Sequence, residues 1–172
     1  MSPDETFAGE FRRIFGEEYE SLFRYLNRLT GNAAQAGDIA QEAFVRLYQR
    51  GQLPDEPRAW LTVVSQNLVR DEYRRATRRR RLREMNPTQF VYADPEPGPE
   101  DELAKSEEGR RVRRALDSLP LRYRQALLLR HEGYSYREIG DALDYRMSGV
   151  GKLIIRAERA FRAAYEEADA SG

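Results

Sequence analysis

The chain of 172 residues has no cysteine and a single histidine, His131. Without cysteine there is neither a disulfide framework nor a thiolate metal site. No glycine-rich phosphate loop and no metal-ligand cluster appears. The carboxylate pairs Glu17-Glu18 and Glu166-Glu167 fall in helices that read as solvated, so an enzyme is a distant reading. Long apolar runs are missing as well; none reaches the length needed to span a bilayer. Met1 to Glu10 is polar and acidic, unlike a basic and apolar leader. These absences point to a soluble cytoplasmic protein with no membrane insertion, no metal and no cofactor.

Net charge of either sign is lacking too: 29 basic and 29 acidic residues sum to zero. The balance hides a strong asymmetry. Between Arg70 and Arg83 the chain reads RDEYRRATRRRRLR, whereas Asp94 to Glu108 is acidic apart from Lys105. Charge sorts into a basic helix end and an acidic connector, and distribution matters more than the sum for a nucleic-acid partner.

What is present is helical periodicity. Phe7, Phe11, Ile14 and Phe15 fall on one face, and after Gly16 a second stripe runs through Leu22, Phe23, Leu26 and Leu29. Gly31-Asn32 breaks it. A further helix carries Ile39, Ala40, Ala43, Phe44, Leu47 and Tyr48 inward and ends near Gly51. Pro54 and Pro57 mark a loop from Gly51 to Pro57, and Pro57 suits the first turn of the next helix. That helix places Trp60, Leu61, Val64 and Leu68 inward before entering the arginine cluster. The segment NPTQFVYADPEPGPED, Asn86 to Asp101, holds four prolines and reads as a flexible linker on which Phe90, Val91 and Tyr92 could dock. Beyond it lie four helical stretches: one around Val112 to Leu119, one from Pro120 to just before Gly133, and two short ones. The expected fold is all-α, with two small helical domains over 5–84 and 103–168 and a linker over 85–102. Small domains bury little apolar surface, so each is only modestly stable alone.

The last third carries the most specific pattern. Ser135-Tyr-Arg-Glu138 fits a capping box. Ile139 and Leu143 point inward, Gly140 suits a close helix crossing, and Asp144 occupies a turn position that needs a left-handed backbone. Val150, Leu153, Ile154, Ala157 and Phe161 then form a second inward stripe. This is a helix-turn-helix, whose second helix enters the major groove. Ser148, Gly149, Gly151, Lys152, Ile155, Arg156 and Arg159 fall outward or on the flanks. Short side chains let the helix start approach phosphate, and Lys152, Arg156 and Arg159 can reach phosphates or purine edges. The plainer reading is a helical hairpin with a solvated basic face.

Asn67, Asp71 and Arg74 share one face of the arginine-rich helix, with Arg75 beside them. Eight arginines lie within the fourteen residues from Arg70 to Arg83. Cations at a helix C-terminus are favoured by its dipole, but this density exceeds what capping requires and suits a phosphate track.

Taken together, these stretches resemble the extracytoplasmic-function (ECF) group of sigma-70 RNA polymerase sigma factors. Asp38-Ile-Ala-Gln-Glu-Ala-Phe-Val-Arg-Leu-Tyr48 is similar to its region 2.2. Arg58-Ala-Trp60-Leu61, followed by Ser65-Gln-Asn67-Leu-Val-Arg-Asp71-Glu-Tyr-Arg74-Arg75, is similar to regions 2.3 to 2.4. Leu116 to Pro120, Arg124, Tyr134-Ser135-Tyr-Arg-Glu138-Ile139 and Arg156-Ala157 are similar to region 4. Three motifs occur in order, covering Phe7 to Tyr165 apart from the linker.

The resemblance implies a role for each segment. Asp38, Gln41, Glu42, Phe44 and Arg46 would grip core RNA polymerase. The loop Arg50 to Pro57, with Gln52 and Leu53, would contact the −10 element of promoter DNA and hold a flipped-out base. Trp60, Asn67, Asp71, Arg74 and Arg75 would read and help open that element, although Trp60 suits core packing equally. Ser148, Gly149, Lys152, Arg156 and Arg159 would face the −35 element. An anti-sigma factor is the further expected partner. The chain departs from the group's pattern at Gly151, where a basic residue is more usual, and at Ile155, where a polar one is. Gly151 costs roughly 1 kcal/mol of helix propensity relative to alanine. Ile155, if outward, could meet a thymine methyl or an inhibitory partner. A stand-alone helix-turn-helix regulator is the alternative, but it leaves Asp38 to Tyr48 and the arginine helix without a purpose. Capture of bases as they unstack can supply promoter opening without hydrolysis.

Overall fold

Helix α1 (Pro3–Thr30) runs unbroken through Gly16. The computed structural model describes residues 3–85 and 102–170; most of the linker, with Phe90, Val91 and Tyr92, lies outside the described residues. The expectation of two successive stripes parted at Gly16 is therefore corrected to one 28-residue helix. One glycine costs about 1 kcal/mol in a helix, and the ring contacts of Phe11 with Phe15 and of Phe15 with Tyr19 continue across it. The helix stops at Gly31, whose φ of 65° is left-handed and whose N–H donates to the Asn27 carbonyl at 2.8 Å.

Asn32 caps α2 (Ala33–Arg50), its side chain accepting from the Gln35 N–H at 3.0 Å. Gly51, at φ 74°, ends it. A short loop leads into α3 (Pro57–Met85), with Pro57 at its first position. Leu22, Leu26 and Leu29 of α1 pack with Ala36, Ile39, Ala40, Ala43, Phe44 and Leu47 of α2 and with Leu61 of α3. Beyond Val69, α3 has no buried residue. Its arginine-rich half projects from the three-helix body.

The second lobe begins with a short 3-10 helix (Glu102–Lys105) and α4 (Glu107–Ser118), capped by Ser106. Gly109 is required there, because a Cβ would sit 1.9 Å from the Leu103 carbonyl oxygen. Then come α5 (Leu121–His131), α6 (Tyr136–Leu143) and α7 (Met147–Ala170). Leu116, Leu119, Leu129, Ile139, Leu143, Val150, Leu153 and Ile154 are buried in this lobe. The expectation of two short final helices holds for α6 only. α7 is 24 residues long, because its distal half packs along α4, where Arg111 reaches Asp169 at 2.6 Å and lies over the Tyr165 ring.

All elements among the described residues are helical, in the two-lobed arrangement expected from sequence. The lobes are also packed on one another: α1 lies against α5, and α3 against α6. Among the described residues no helix is long and apolar enough to cross a membrane.

Candidate nucleic-acid interface

The helix-turn-helix assembles as its residues dictate. Ser135 Oγ accepts from the Glu138 N–H at 3.2 Å, and Glu138 returns a carboxylate to the Ser135 N–H at 2.7 Å. Asp144 adopts φ 50°, ψ 51°, the left-handed turn. A Cβ on Gly140 would lie 2.9 Å from the Tyr145 carbonyl oxygen, so the crossing of α6 and α7 needs its missing side chain. Val150, Leu153, Ile154 and Ala157 are buried. That fixes the opposite face: Ser148, Lys152, Ile155, Arg156 and Arg159 are all exposed. Spacings of four, three and four align Ser148, Lys152, Ile155 and Arg159 in one stripe. Ile155, half exposed, is an apolar element within it. Gly149 is half-buried, and a Cβ there would stand 3.0 Å from the Tyr145 ring. Gly151 meets only an ordinary 3.5 Å contact with Tyr136, so space does not demand it.

Sequence reasoning missed the cationic flank of this face. Arg122 lies over the Tyr145 ring at 5.3 Å and Arg130 over the Tyr136 ring at 5.2 Å. Arg137 and Arg146 are exposed nearby in the chain. These residues come from separate elements, so no periodicity joins them. His131 closes α5, exposed at its C-terminus.

On the other lobe, Asn67, Asp71, Arg74 and Arg75 are exposed along α3. Arg70 donates to the Asn67 side-chain oxygen. Asp71 and Arg74 stand 4.0 Å apart, while Glu72 pairs with Arg75 at 3.7 Å and Arg79 at 2.9 Å. Such exposed pairs are weak and yield readily to phosphate. Arg78, Arg80 and Arg81 are exposed as well. Trp60 is half-buried against the core, which favours the packing reading. Leu53 packs there too, while Gln52 stays exposed.

A third face lies on α2. Asp38, Gln41, Glu42 and Arg46 are exposed, with Glu42 and Arg46 paired at 2.8 Å. Phe44 is buried, as its place on the inward stripe predicts, ringed by Phe11, Phe15 and Tyr19, and lies beneath this face. Tyr48, expected inward, is 58% exposed beside Phe11, because the stripe on α2 is wider than the groove it fills. Phe15, read from sequence as part of the first apolar stripe, and Val45, which sequence reasoning did not single out, are exposed apolar side chains. Among the described residues no group of acidic or histidine side chains is arranged to hold a metal ion.

Residues 14–79 match the family model Sigma-70 region 2, and residues 109–161 match Sigma-70, region 4. The chain is 31% identical to the ECF RNA polymerase sigma factor SigL of Mycobacterium tuberculosis, over 93% of this chain and 91% of SigL. The chain belongs to the ECF sigma factors of the sigma-70 family. It is 32% identical to SigE of Mycolicibacterium smegmatis over 92% of its own length, and this match spans 63% of SigE. The ferric citrate uptake sigma factor FecI of Escherichia coli is 28% identical, with 88% of each chain covered. The fold matches the sigma factor RpoE of Bartonella quintana, solved with the anti-sigma factor NepR. The TM-score is 0.67 at 17% identity, over 91% of this chain and 97% of that one. As an ECF sigma factor, the protein serves transcription initiation, with core RNA polymerase and promoter DNA as partners. The matches to both regions favour this over a stand-alone regulator, which would use region 4 alone.

Proposed function

We propose that the three exposed faces divide the work of promoter recognition. The α2 face of Asp38, Gln41, Glu42 and Arg46 grips core polymerase, with Phe44 holding its shape. The loop before α3, through Gln52, and the α3 residues Asn67, Asp71, Arg74 and Arg75 engage and open the −10 element, with Leu53 and Trp60, packed against the core, supporting them. The α7 face of Ser148, Gly149, Lys152, Arg156 and Arg159 reads the −35 element.

The observation that carries this reading is the pair of exposed basic helical faces, one per lobe: on α7 the opposite side is buried, and on α3 the basic half extends beyond the last buried residue, Val69. Two such faces suit one partner with two separated sites. No bond of the substrate is broken in this scheme; binding energy captures bases as they unstack, so the protein acts as a cytoplasmic, non-enzymatic factor without a cofactor. An anti-sigma factor is the regulatory partner this reading expects.

Run-off transcription with purified core polymerase and a promoter library tests it. Promoter-specific transcripts that depend on the protein are expected. Tight binding to duplex DNA without core, and no transcript with it, would instead identify a self-sufficient regulator.

A further inference from the structure

Among the described residues, the C-terminal lobe exposes three large hydrophobic side chains: Tyr136, Met147 and Ile155. Single exposed apolar residues are ordinary and need no explanation. These three are not scattered. Met147, Gly151 and Ile155 follow one another at intervals of four on α7, so they share one row of its surface. Glycine alone would leave a gap in that row, and Tyr136 of α6 fills it: a Cβ on Gly151 would stand 3.5 Å from Cε2 of the Tyr136 ring. Methionine, tyrosine and isoleucine thus make one apolar strip along the second helix of the motif.

The strip is held in place where it passes from one helix to the other. Arg130 lies over the Tyr136 ring at 5.2 Å, and its Nη1 donates to the Tyr134 carbonyl at 3.3 Å. The ring is therefore fixed by a cation that is itself anchored to the backbone. Packing does not account for the strip. Val150, Leu153, Ile154 and Ala157 already fill the core side of α7, and a polar residue at Ile155 would cost the fold little.

The surrounding surface is cationic. Lys152, Arg156 and Arg159 are exposed beside the strip on α7, and Arg137 and Arg146 near the starts of α6 and α7. Between Met147 and Arg159, Glu158 is the one carboxylate on α7. An apolar strip with a cationic rim fits a polyanion that also presents apolar groups. Duplex DNA is such a partner, because thymine carries a methyl group on C5 in the major groove. An aliphatic side chain makes no hydrogen bond to a base edge, so that methyl is what it can recognise. From Met147 to Ile155 the helix rises about 12 Å, which matches roughly three or four base pairs at about 3.4 Å each.

We propose that Tyr136, Met147 and Ile155 select thymine in the −35 element by contact with its C5-methyl group. Ile155 is the principal reader, since it stands between Lys152 and Arg159 on the outward stripe. The assignment rests on the reading of α7 as the −35 face. It makes the preferred element one that places thymines, on either strand, at neighbouring positions.

Deoxyuridine in place of thymine removes the methyl and leaves base pairing unchanged. Promoters selected with core polymerase from a library randomised across the −35 element supply the parent templates. Each −35 thymine, on either strand, is then changed singly to deoxyuridine. Run-off transcription at limiting protein concentration gives the activity ratio of the two templates. At one or more positions the ratio should be about four, the effect of burying one methyl group. Ile155→Ala should bring it to about one at one such position, and Met147→Ala at another, with the melting temperature of the wild type.

A ratio of one at every −35 thymine, in a protein that still needs the −35 sequence, overturns the methyl reading alone. So does a selected element with no thymine on either strand, or a ratio that both alanine variants leave unchanged. Should Ile155→Ala lower transcription equally on all templates and weaken co-elution with core polymerase, the strip docks a protein and the proposal fails. Activity indifferent to the whole −35 sequence overturns the reading of α7 together with it.

Discussion

A Cβ on Gly31 would sit 2.5 Å from Nη1 of Arg113, the guanidinium that crosses from the second lobe to the end of α1. Gly31 is thus constrained twice, by its left-handed backbone and by the arginine beside it. Gly31→Ala should cost about 1–2 kcal/mol from backbone strain and displace the guanidinium from the Arg28 carbonyl. Urea unfolding would measure the loss. Gly31→Asn, which tolerates that backbone, should recover part of the strain but leave the collision. Equal stability of all three proteins would rule this account out.

At the helix-turn-helix the left-handed residue is Asp144. Asp144→Gly should be neutral or stabilising by up to about 1 kcal/mol, whereas Asp144→Val should lose about 1–2 kcal/mol. Thermal melts of the full chain distinguish these outcomes. A valine variant as stable as the parent would mean the turn can relax to another conformation.

Glu42 is exposed and pairs with Arg46 on the same helix. Glu42→Lys should change stability by no more than about 1 kcal/mol, the usual scale for surface pairs. It should nevertheless weaken co-elution with core polymerase. Undiminished co-elution of the folded variant would remove α2 from the polymerase contact.

The two DNA faces should fail in different ways. Lys152→Ala and Arg156→Ala should reduce activity on promoters whose −35 sequence matters, and each lost phosphate contact should lower the salt slope of binding by about one. Asn67→Ala and Arg74→Ala should instead reduce permanganate reactivity of unpaired thymines. A pre-melted template should rescue the second pair more than the first. Equal rescue of Arg156→Ala and Asn67→Ala would contradict the division of labour.

Local chemistry was legible in the sequence. The capping box at Ser135 and Glu138 and the left-handed Asp144 are set by neighbours within a few residues, and both occur as read. The inward stripe on α7 likewise fixed which cations face out. Phe44 and Tyr48 show the limit. Both lie on one apolar stripe, yet Phe44 is buried and Tyr48 exposed, since the aromatics of α1 cover only part of that stripe. The lobe junction was invisible for another reason. Its buried members include Thr62, Gln66, Gln125, Arg113 and Arg124, residue types that a sequence presents as surface.

Buried apolar side chains run without a break from Ile14 and Leu26 of the first lobe to Leu129 and Ile154 of the second. Lobes that share one core lose it together, so urea or heat should unfold the helices in a single cooperative step rather than lobe by lobe.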